Sequence, residues 1–182
     1  GVTIVISPLL SLVEDQVSSL IQLPSGGIPA AYLSSSSTET MVGSVFNDLR
    51  QSNIGDEPYL KLLYLTPERM VKSLETKNCL KSLYDNEMLA RFIIDEAHCV
   101  SSWGHDFRKD YGQLGILKEI FPDVPIVALT ATARKSVWED TTKILRIPHC
   151  SMFCGGFDRP NLKFEVCVKP AKQLDCSAFI LQ

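Results

Sequence analysis

The chain has 182 residues, which is enough for one domain with a sizeable buried core. Its net charge of −3 excludes a broadly basic nucleic-acid coat, so any contact with a nucleic acid has to be local. Six cysteines without a disulfide-rich rhythm favour free thiols in a reducing compartment, and no apolar run approaches a membrane span. The chain starts at Gly1 within a strand-like run, which predicts an internal part of a longer protein.

Short apolar runs alternate with segments that have apolar residues at helical spacing. We predict strands at Val2–Ile6, Ile28–Leu33, Tyr59–Leu65, Leu89–Ile94 and Val124–Leu129, and short strands near Met152 and at Phe164–Val168. We predict helices at Leu9–Leu23, from Ser37 or Thr38 to Arg50, from Thr66 onward, at Gly112–Phe121 and at Arg134–Leu145. Because the strands are apolar throughout, the pattern predicts an α/β fold: a mainly parallel sheet with helices on both faces.

Polar and acidic residues follow several of these strands. The carboxyl ends of parallel strands meet at one edge of a sheet, where ligands bind. We therefore expect one edge to carry Ser7, Thr66, Asp95, Glu96, Thr130 and Thr132.

The sequence Asp95-Glu96-Ala97-His98 follows an apolar strand. Asp95 could hold Mg²⁺ through water, because this ion prefers oxygen ligands and keeps part of its hydration shell. Glu96 could orient or deprotonate a water that attacks a γ-phosphate, and His98 could sense that phosphate. A solvated acidic turn is the alternative for two carboxylates alone, but the four-residue pattern is more specific.

An aromatic-rich loop follows the acidic pair. Trp103, Phe107 and Tyr111 have a spacing of four, so they could form one buried helical face. The polar residues between them, Arg108 included, favour base stacking and phosphate contact instead. We expect Phe107 or Trp103 to be at least partly exposed and one of the three aromatic residues to belong to the core.

Hydroxyl groups and helix starts supply weaker signals. Thr130 and Thr132 could bond to the acidic pair or to His98, or could merely cap the next helix. Two helix starts offer backbone N–H groups that suit phosphate oxygens, although each is also an ordinary helix start. They are Ser7-Pro8 and Thr66 to Arg69.

A zinc site is a further alternative near the end of the chain. His149, Cys150 and Cys154 could be half of such a site, but no second ligand pair has finger-like spacing. Buried thiols are the simpler interpretation.

The motifs and their order resemble the RecQ family of superfamily 2 DNA helicases, especially its short eukaryotic members. The resemblance covers residues 2–172. It rests on Val5–Gln16 (motif Ia), Tyr64–Arg69 (motif Ib), Asp95–His98 (motif II), Ser102–Arg108 extended to Tyr111 (the aromatic-rich loop), Ala128–Ala133 (motif III) and Phe157–Leu162, which resembles the segment leading to a second RecA-like domain.

The resemblance implies a RecA-like fold of the P-loop NTPase type, incomplete at its N-terminus. Residues 1–155 would be part of the first ATP-binding domain, and residues 156–182 a connector toward a second RecA-like domain. It implies ATP- and Mg²⁺-dependent unwinding of DNA, 3′ to 5′, with single strands and forks as partners. It also implies a nuclear role in repair and recombination.

The resemblance implies roles for individual residues as well. Asp95 would hold magnesium through water, Glu96 would be the catalytic base, and His98 would couple the site to the strand. Thr130 and Thr132 would complete the nucleotide site. Contact with nucleic acid, or coupling to it, is expected of Ser7, Pro8, Thr66, Arg69, Trp103, Phe107, Arg108 and Tyr111.

Parts of the family's machinery do not occur in these residues. The Walker A motif, with its Gly-Lys-Ser or Gly-Lys-Thr, the adenine-reading glutamine motif and the second RecA-like domain do not occur. We therefore expect a helicase parent and no ATP hydrolysis by the 182 residues alone. Loss of the strand before the Walker A loop should leave two strand edges unpaired and the isolated chain poorly soluble.

Two other functions are open. The chain could be a truncated, non-catalytic fragment with at most weak single-strand binding. It could also belong to a superfamily 2 RNA helicase, because Asp-Glu-Ala-His occurs there too. The loop Trp103–Arg108 argues against the RNA helicase.

Overall fold

The computed structural model describes residues 1–51, 58–102, 107–131, 134–156 and 159–163. The strands are β1 (Val2–Ile6), β2 (Ala30–Leu33), β3 (Leu62–Leu65), β4 (Leu89–Ile94) and β5 (Ile126–Ala128). The helices are α1 (Leu10–Ile21), α2 (Glu39–Gln51), α3 (Pro67–Lys72), α4 (Leu74–Asp85), α5 (Ile116–Ile120) and α6 (Lys135–Ile144). Two 3₁₀ turns lie at Ala97–Val100 and Tyr111–Gln113.

The five strands form one parallel sheet in the order β2-β3-β1-β4-β5. This confirms the predicted α/β class with a parallel sheet. β4 pairs directly with β5, with Ile93 opposite Val127. The described strands therefore pair without a break from β2 to β5. The unpaired edges and poor solubility expected of the isolated chain stay predictions. A further strand could pair only along the outer edge of β2 or of β5.

Helices lie on both faces of the sheet, but they cover the faces unequally. The larger core joins the sheet to α2, α3, α4, α5 and the end of α6. Among the described helices, only α1 packs on the other face, through Val13 and Val17 on Val5 and Tyr64. Val127 and Leu129 are 41% and 48% exposed, so the described helices leave these two side chains at β5 partly uncovered.

Two helices differ from the sequence prediction. The helix that begins after Thr66 stops at Lys72, because Ser73 caps a new helix by accepting a hydrogen bond from the Thr76 N–H. The predicted helix at Gly112–Phe121 is a 3₁₀ turn followed by α5. Gly115, between them, lies so close to the carbonyl oxygen of Ile144 that a Cβ would collide with it. The glycine therefore permits the packing of α6 here.

Residues 1–150 form one compact unit and residues 151–182 another. In the second unit the described residues form no helix or strand, so the strand predicted near Met152 is wrong. A turn there closes with a hydrogen bond from the Leu162 N–H to the Arg159 carbonyl. The strand predicted at Phe164–Val168 lies outside the described residues. Among the helices described, none has the length and apolar character to span a bilayer.

Candidate active site

The predicted site residues lie at the carboxyl ends of four adjacent strands. Ser7 follows β1, Thr66 follows β3, Asp95 follows β4 and Thr130 follows β5. Parallel pairing brings these ends to one edge. Thr132 lies outside the described residues.

Asp95 is fixed by hydrogen bonds from three directions. Its N–H donates to the Ile6 carbonyl at 2.9 Å, which extends the pairing of β4 with β1. One carboxylate oxygen accepts from the Glu96 N–H at 3.0 Å, and the other accepts from the buried Ser7 hydroxyl at 3.1 Å. Each carboxylate oxygen can accept more than one hydrogen bond, so both retain capacity for a further ligand.

This arrangement fits a magnesium ion held through water. Asp95 supplies hard carboxylate oxygens whose orientation the Ser7 hydroxyl fixes. Mg²⁺ is commonly bound by one or two carboxylates together with substrate phosphates, and not by a protein cage. Within the described residues no group of three or more His, Cys, Asp or Glu side chains could hold a metal alone. Asp95 could therefore hold the ion only together with water and a phosphate ligand.

Glu96 has a left-handed backbone, with φ of 48°. That conformation is unfavourable for a residue with a side chain, and such strain clusters at functional sites. It lets the chain turn sharply from β4 into the Ala97–Val100 turn, whose first N–H donates to the Leu129 carbonyl at 2.8 Å. The turn thus starts on a bond to the strand end of β5.

His98 connects Glu96 to Thr130. Its Nδ1 lies 3.2 Å from a Glu96 carboxylate oxygen and 3.0 Å from the Thr130 hydroxyl. With Nδ1 protonated, the ring donates to the carboxylate; with Nδ1 deprotonated, the threonine hydroxyl donates to the ring. The predicted bond between the residue after β5 and His98 is therefore present. A movement of the Glu96 carboxylate can therefore alter the bond between His98 and Thr130.

Tyr111 is the core member of the aromatic-rich loop. It is fully buried, and its hydroxyl donates to the backbone carbonyl of Asp95 at 3.0 Å. Burial, with smaller contributions from Cys99 and Asp95, raises the pKa of Tyr111 far above its usual value. The hydroxyl therefore remains a donor at any working pH. A fully buried ring has no face on which a base could stack. Of the two roles expected for Tyr111, contact with nucleic acid and coupling to it, its position therefore supports coupling.

Phe107 and Arg108 form the outer part of the same loop. Phe107 is 48% exposed, as expected for one member of the aromatic trio. The Arg108 guanidinium donates to the Pro8 carbonyl at 3.1 Å, and the backbone N–H of Arg108 donates to the Cys99 carbonyl at 3.1 Å. The loop is thus attached both to the chain after β1 and to the Ala97–Val100 turn. Trp103 lies outside the described residues.

Thr66 and Arg69 lie at the start of α3. The Thr66 hydroxyl caps the helix by accepting from the Arg69 N–H. The Arg69 guanidinium donates to the Ser34 carbonyl at 3.0 Å and lies 5.9 Å from the Phe46 ring centre. Burial lowers the pKa of Arg69, and its Nε has no hydrogen-bond partner among the described residues. Arg69 thus holds the loop of four serines (residues 34–37) that follows β2.

Sequence reasoning missed several of these links. The bonds from Arg108 to Pro8 and from Tyr111 to Asp95 span 100 and 16 residues. No periodicity marks such contacts. The one available signal was the mixture of arginine and tyrosine within an aromatic loop, which suggested a function but not the partners.

The chain is similar over most of its length to known helicases. Residues 1–140 match the family model described as DEAD/DEAH box helicase. The chain is 46% identical over 182 residues to the RecQ-like DNA helicase BLM of Xenopus laevis, covering 99% of this chain and 13% of that protein. It is 45% identical over 175 residues to the ATP-dependent DNA helicase Q1 of Rattus norvegicus, covering 96% of this chain and 27% of that protein.

A third relative is the ATP-dependent DNA helicase hus2/rqh1 of Schizosaccharomyces pombe. It is 45% identical over 174 residues, which are 96% of this chain and 12% of that protein. The predicted resemblance to RecQ helicases is thereby confirmed. The chain spans about an eighth to a quarter of the length of these relatives.

Proposed function

Because the chain belongs to the DEAD/DEAH box helicase family, we propose that it is part of the first motor domain of a RecQ-type, ATP-dependent DNA helicase. One observation carries the proposal: the acidic residue Asp95 is held on one side by Ser7 and on the other by Tyr111 of the aromatic-rich loop. A loop with an exposed aromatic ring is thus bonded directly to the candidate hydrolytic site.

In the proposed reaction, Glu96 accepts the proton of the water that attacks the γ-phosphate of ATP. Asp95 would hold a magnesium ion through water, and such an ion would supply positive charge to neutralise the phosphates. His98 reports the state of the Glu96 carboxylate to Thr130, at the end of β5. In this scheme Thr130 and Thr132 lie on the nucleotide side of the site.

The proposed strand contact uses the other half of the loop. Phe107 offers a half-exposed ring for stacking on a base, as Trp103 would. Arg108 bonds this part of the loop to Pro8, the residue after Ser7. Displacement of the loop would therefore shift Asp95 in two ways, through Ser7 and through Tyr111. The DNA partner is proposed to be a single strand or fork, traversed 3′ to 5′ in nuclear repair or recombination.

The outer edge of β5 supports the proposed position within a longer motor domain. Val127 and Leu129 are partly exposed there, on a face that the described helices cover only through α1. A strand and helix carrying the phosphate-binding loop would pair with this edge and cover that face. We propose that the 182 residues alone do not hydrolyse ATP, because their sequence contains no Gly-Lys-Ser or Gly-Lys-Thr loop to bind the phosphates.

The proposal is tested on the longer protein that contains these residues. Glu96→Gln should preserve ATP binding and reduce DNA-stimulated hydrolysis by about a thousandfold or more, since the amide keeps the shape but cannot accept the proton. Glu87→Gln is the matched control, because Glu87 also has a positive φ but is exposed at the opposite edge of the sheet.

Comparison of nucleic acids as activators separates the alternatives. Stimulation by single-stranded DNA, with RNA much weaker, supports the proposed DNA helicase. Stimulation by RNA alone would favour an RNA helicase. Absence of ATP hydrolysis by the longer protein, with or without DNA, would favour a non-catalytic chain with at most weak strand binding.

A further inference from the structure

Ser101 occupies the junction between the Ala97–Val100 turn and the aromatic-rich loop. It is fully buried, and its hydroxyl donates to a carboxylate oxygen of Asp140 at 2.6 Å. A hydroxyl–carboxylate bond of this length is charge-assisted and stronger than a bond between neutral groups. The two residues are 39 positions apart, so the bond joins separate parts of the fold.

Asp140 lies in the middle of α6, the helix that follows motif III. Its neighbour Thr141 is buried, and the Thr141 hydroxyl donates to the Ala97 carbonyl at 3.4 Å. Val137, one helical turn earlier, is buried on the same face. This face of α6 therefore packs on the Ala97–Val100 turn, and Asp140 reaches the end of that turn.

The turn is consequently held at both ends by one stretch of chain. At its start, the Ala97 N–H donates to Leu129, and the ring of His98 bonds with Thr130. At its end, Ser101 bonds with Asp140. The bond to Asp140 is the last of these attachments before the loop leaves toward Phe107.

We propose that Asp140 is a positioning residue for the coupling of strand binding to hydrolysis, acting through Ser101. It holds the root of the aromatic-rich loop on α6, so that displacement of the loop moves α6 and the Thr130 end of β5 with it. This inference rests on the proposed function. Asp140 is too far along α6 to cap the helix, and aspartate is not a strong helix former, so neither feature accounts for a carboxylate at this position.

The test uses the longer protein and separates basal from DNA-stimulated ATP hydrolysis. Asp140→Ala should lower the DNA-stimulated kcat about tenfold, since the buried Ser101 loses a charge-assisted partner, while the basal rate changes less than about twofold. Asp140→Asn should recover most of the stimulation, because its amide oxygen can still accept from Ser101.

Two further variants make the assignment specific. Ser101→Ala should lower DNA stimulation as Asp140→Ala does. The double variant should lower it no further than either single variant, because both changes remove the same hydrogen bond. Glu139→Ala is the matched control: Glu139 is the preceding residue on α6, exposed and paired with Lys135. It should leave stimulation unchanged.

Hydrogen exchange provides a readout that does not depend on turnover. The Ser101 N–H donates to the His98 carbonyl at 3.3 Å, and its exchange should accelerate in Asp140→Ala but not in Glu139→Ala. Normal DNA stimulation in Asp140→Ala, or equal loss of basal and stimulated rates, would overturn the inference alone. An unmodified protein without DNA-stimulated hydrolysis would overturn the proposed function and this inference together.

Discussion

The hydroxyl of Tyr111 donates a hydrogen bond to the backbone carbonyl of Asp95 over 3.0 Å. Tyr111 is fully buried and its hydroxyl stays protonated, so pH does not break this bond in the working range of pH. It ties the end of the aromatic-rich loop to the residue that begins the acidic pair. The loop and the acids therefore share a backbone contact.

Tyr111→Phe removes this bond and preserves the ring. We expect the free energy of unfolding of the complete first domain to fall by about 1–2 kcal/mol, since a buried hydrogen bond is lost. In the longer protein, DNA stimulation should fall more than the basal rate. Urea unfolding and ATP hydrolysis measure the two effects. Tyr84→Phe is the control, because its hydroxyl makes an exposed bond to Asp123; an equal response of both variants would argue against coupling through Tyr111.

Glu96→Gly should stabilise the fold, and in the longer protein it should abolish ATP hydrolysis. Glycine adopts the left-handed φ of 48° at little cost, and we expect a gain of about 0.5–1 kcal/mol in the free energy of unfolding. Glu87→Gly, at φ of 60°, should give a similar gain and full activity. Urea unfolding with parallel activity assays tests this. If Glu96→Gly is destabilised and Glu87→Gly is not, the Glu96 side chain contributes more to the free energy of unfolding than its backbone strain subtracts.

Phe107→Ala should weaken binding of single-stranded DNA by about tenfold or more, because a stacking ring is worth about 1–3 kcal/mol per base. Its effect on stability should be small, since the ring is half-exposed. Tyr59→Ala is the matched control: Tyr59 is 75% exposed but precedes β3, at the opposite edge of the sheet. Fluorescence anisotropy of a labelled strand measures the affinity. Equal losses for the two variants would indicate nonspecific contact.

Cys79 should make stability depend on alkaline pH. Burial raises the pKa of its thiol from 9.0 to about 11 in the folded chain. Stability from this group is complete below pH 9, where neither state is ionised, and is lost as pH rises toward 11, because the unfolded thiol ionises first. The loss should reach about 2 kcal/mol.

Cys79→Ala should show a shallower decline of stability between pH 9 and pH 11 than the unmodified domain. Urea unfolding under reducing conditions measures the difference, and contributions from buried tyrosines cancel in the comparison. Cys150→Ala is the control, because that thiol is exposed. A slope that is unchanged in Cys79→Ala would contradict the burial effect.

The sequence was sufficient for the parallel sheet and for the edge that carries Ser7, Thr66, Asp95 and Thr130, because apolar strand runs and the polar residues that follow them are local signals. β4 in particular begins and ends at the predicted residues. The break at Ser73 was missed because a second cap inside an amphipathic stretch is a weak signal. The direct pairing of β4 with β5 was also missed, because register depends on contacts distant in sequence.

The candidate site was predictable in its residue types but not in its connections. The acid pair, His98 and the aromatic-rich loop are continuous motifs. The partners Pro8, Ser101 and Asp140 are ordinary residues whose importance comes from spatial neighbours. Periodicity and motif spacing carry no information about such pairs.

β5 has only three residues. Thr130, whose hydroxyl bonds with the His98 ring, lies two residues beyond its end. Short strands with solvent along one side fray before the body of a sheet melts. Warming would therefore detach Thr130 from the imidazole while the remaining strands were still intact. A neighbouring strand laid against β5 would raise the temperature up to which the histidine keeps its orientation above what the core alone allows.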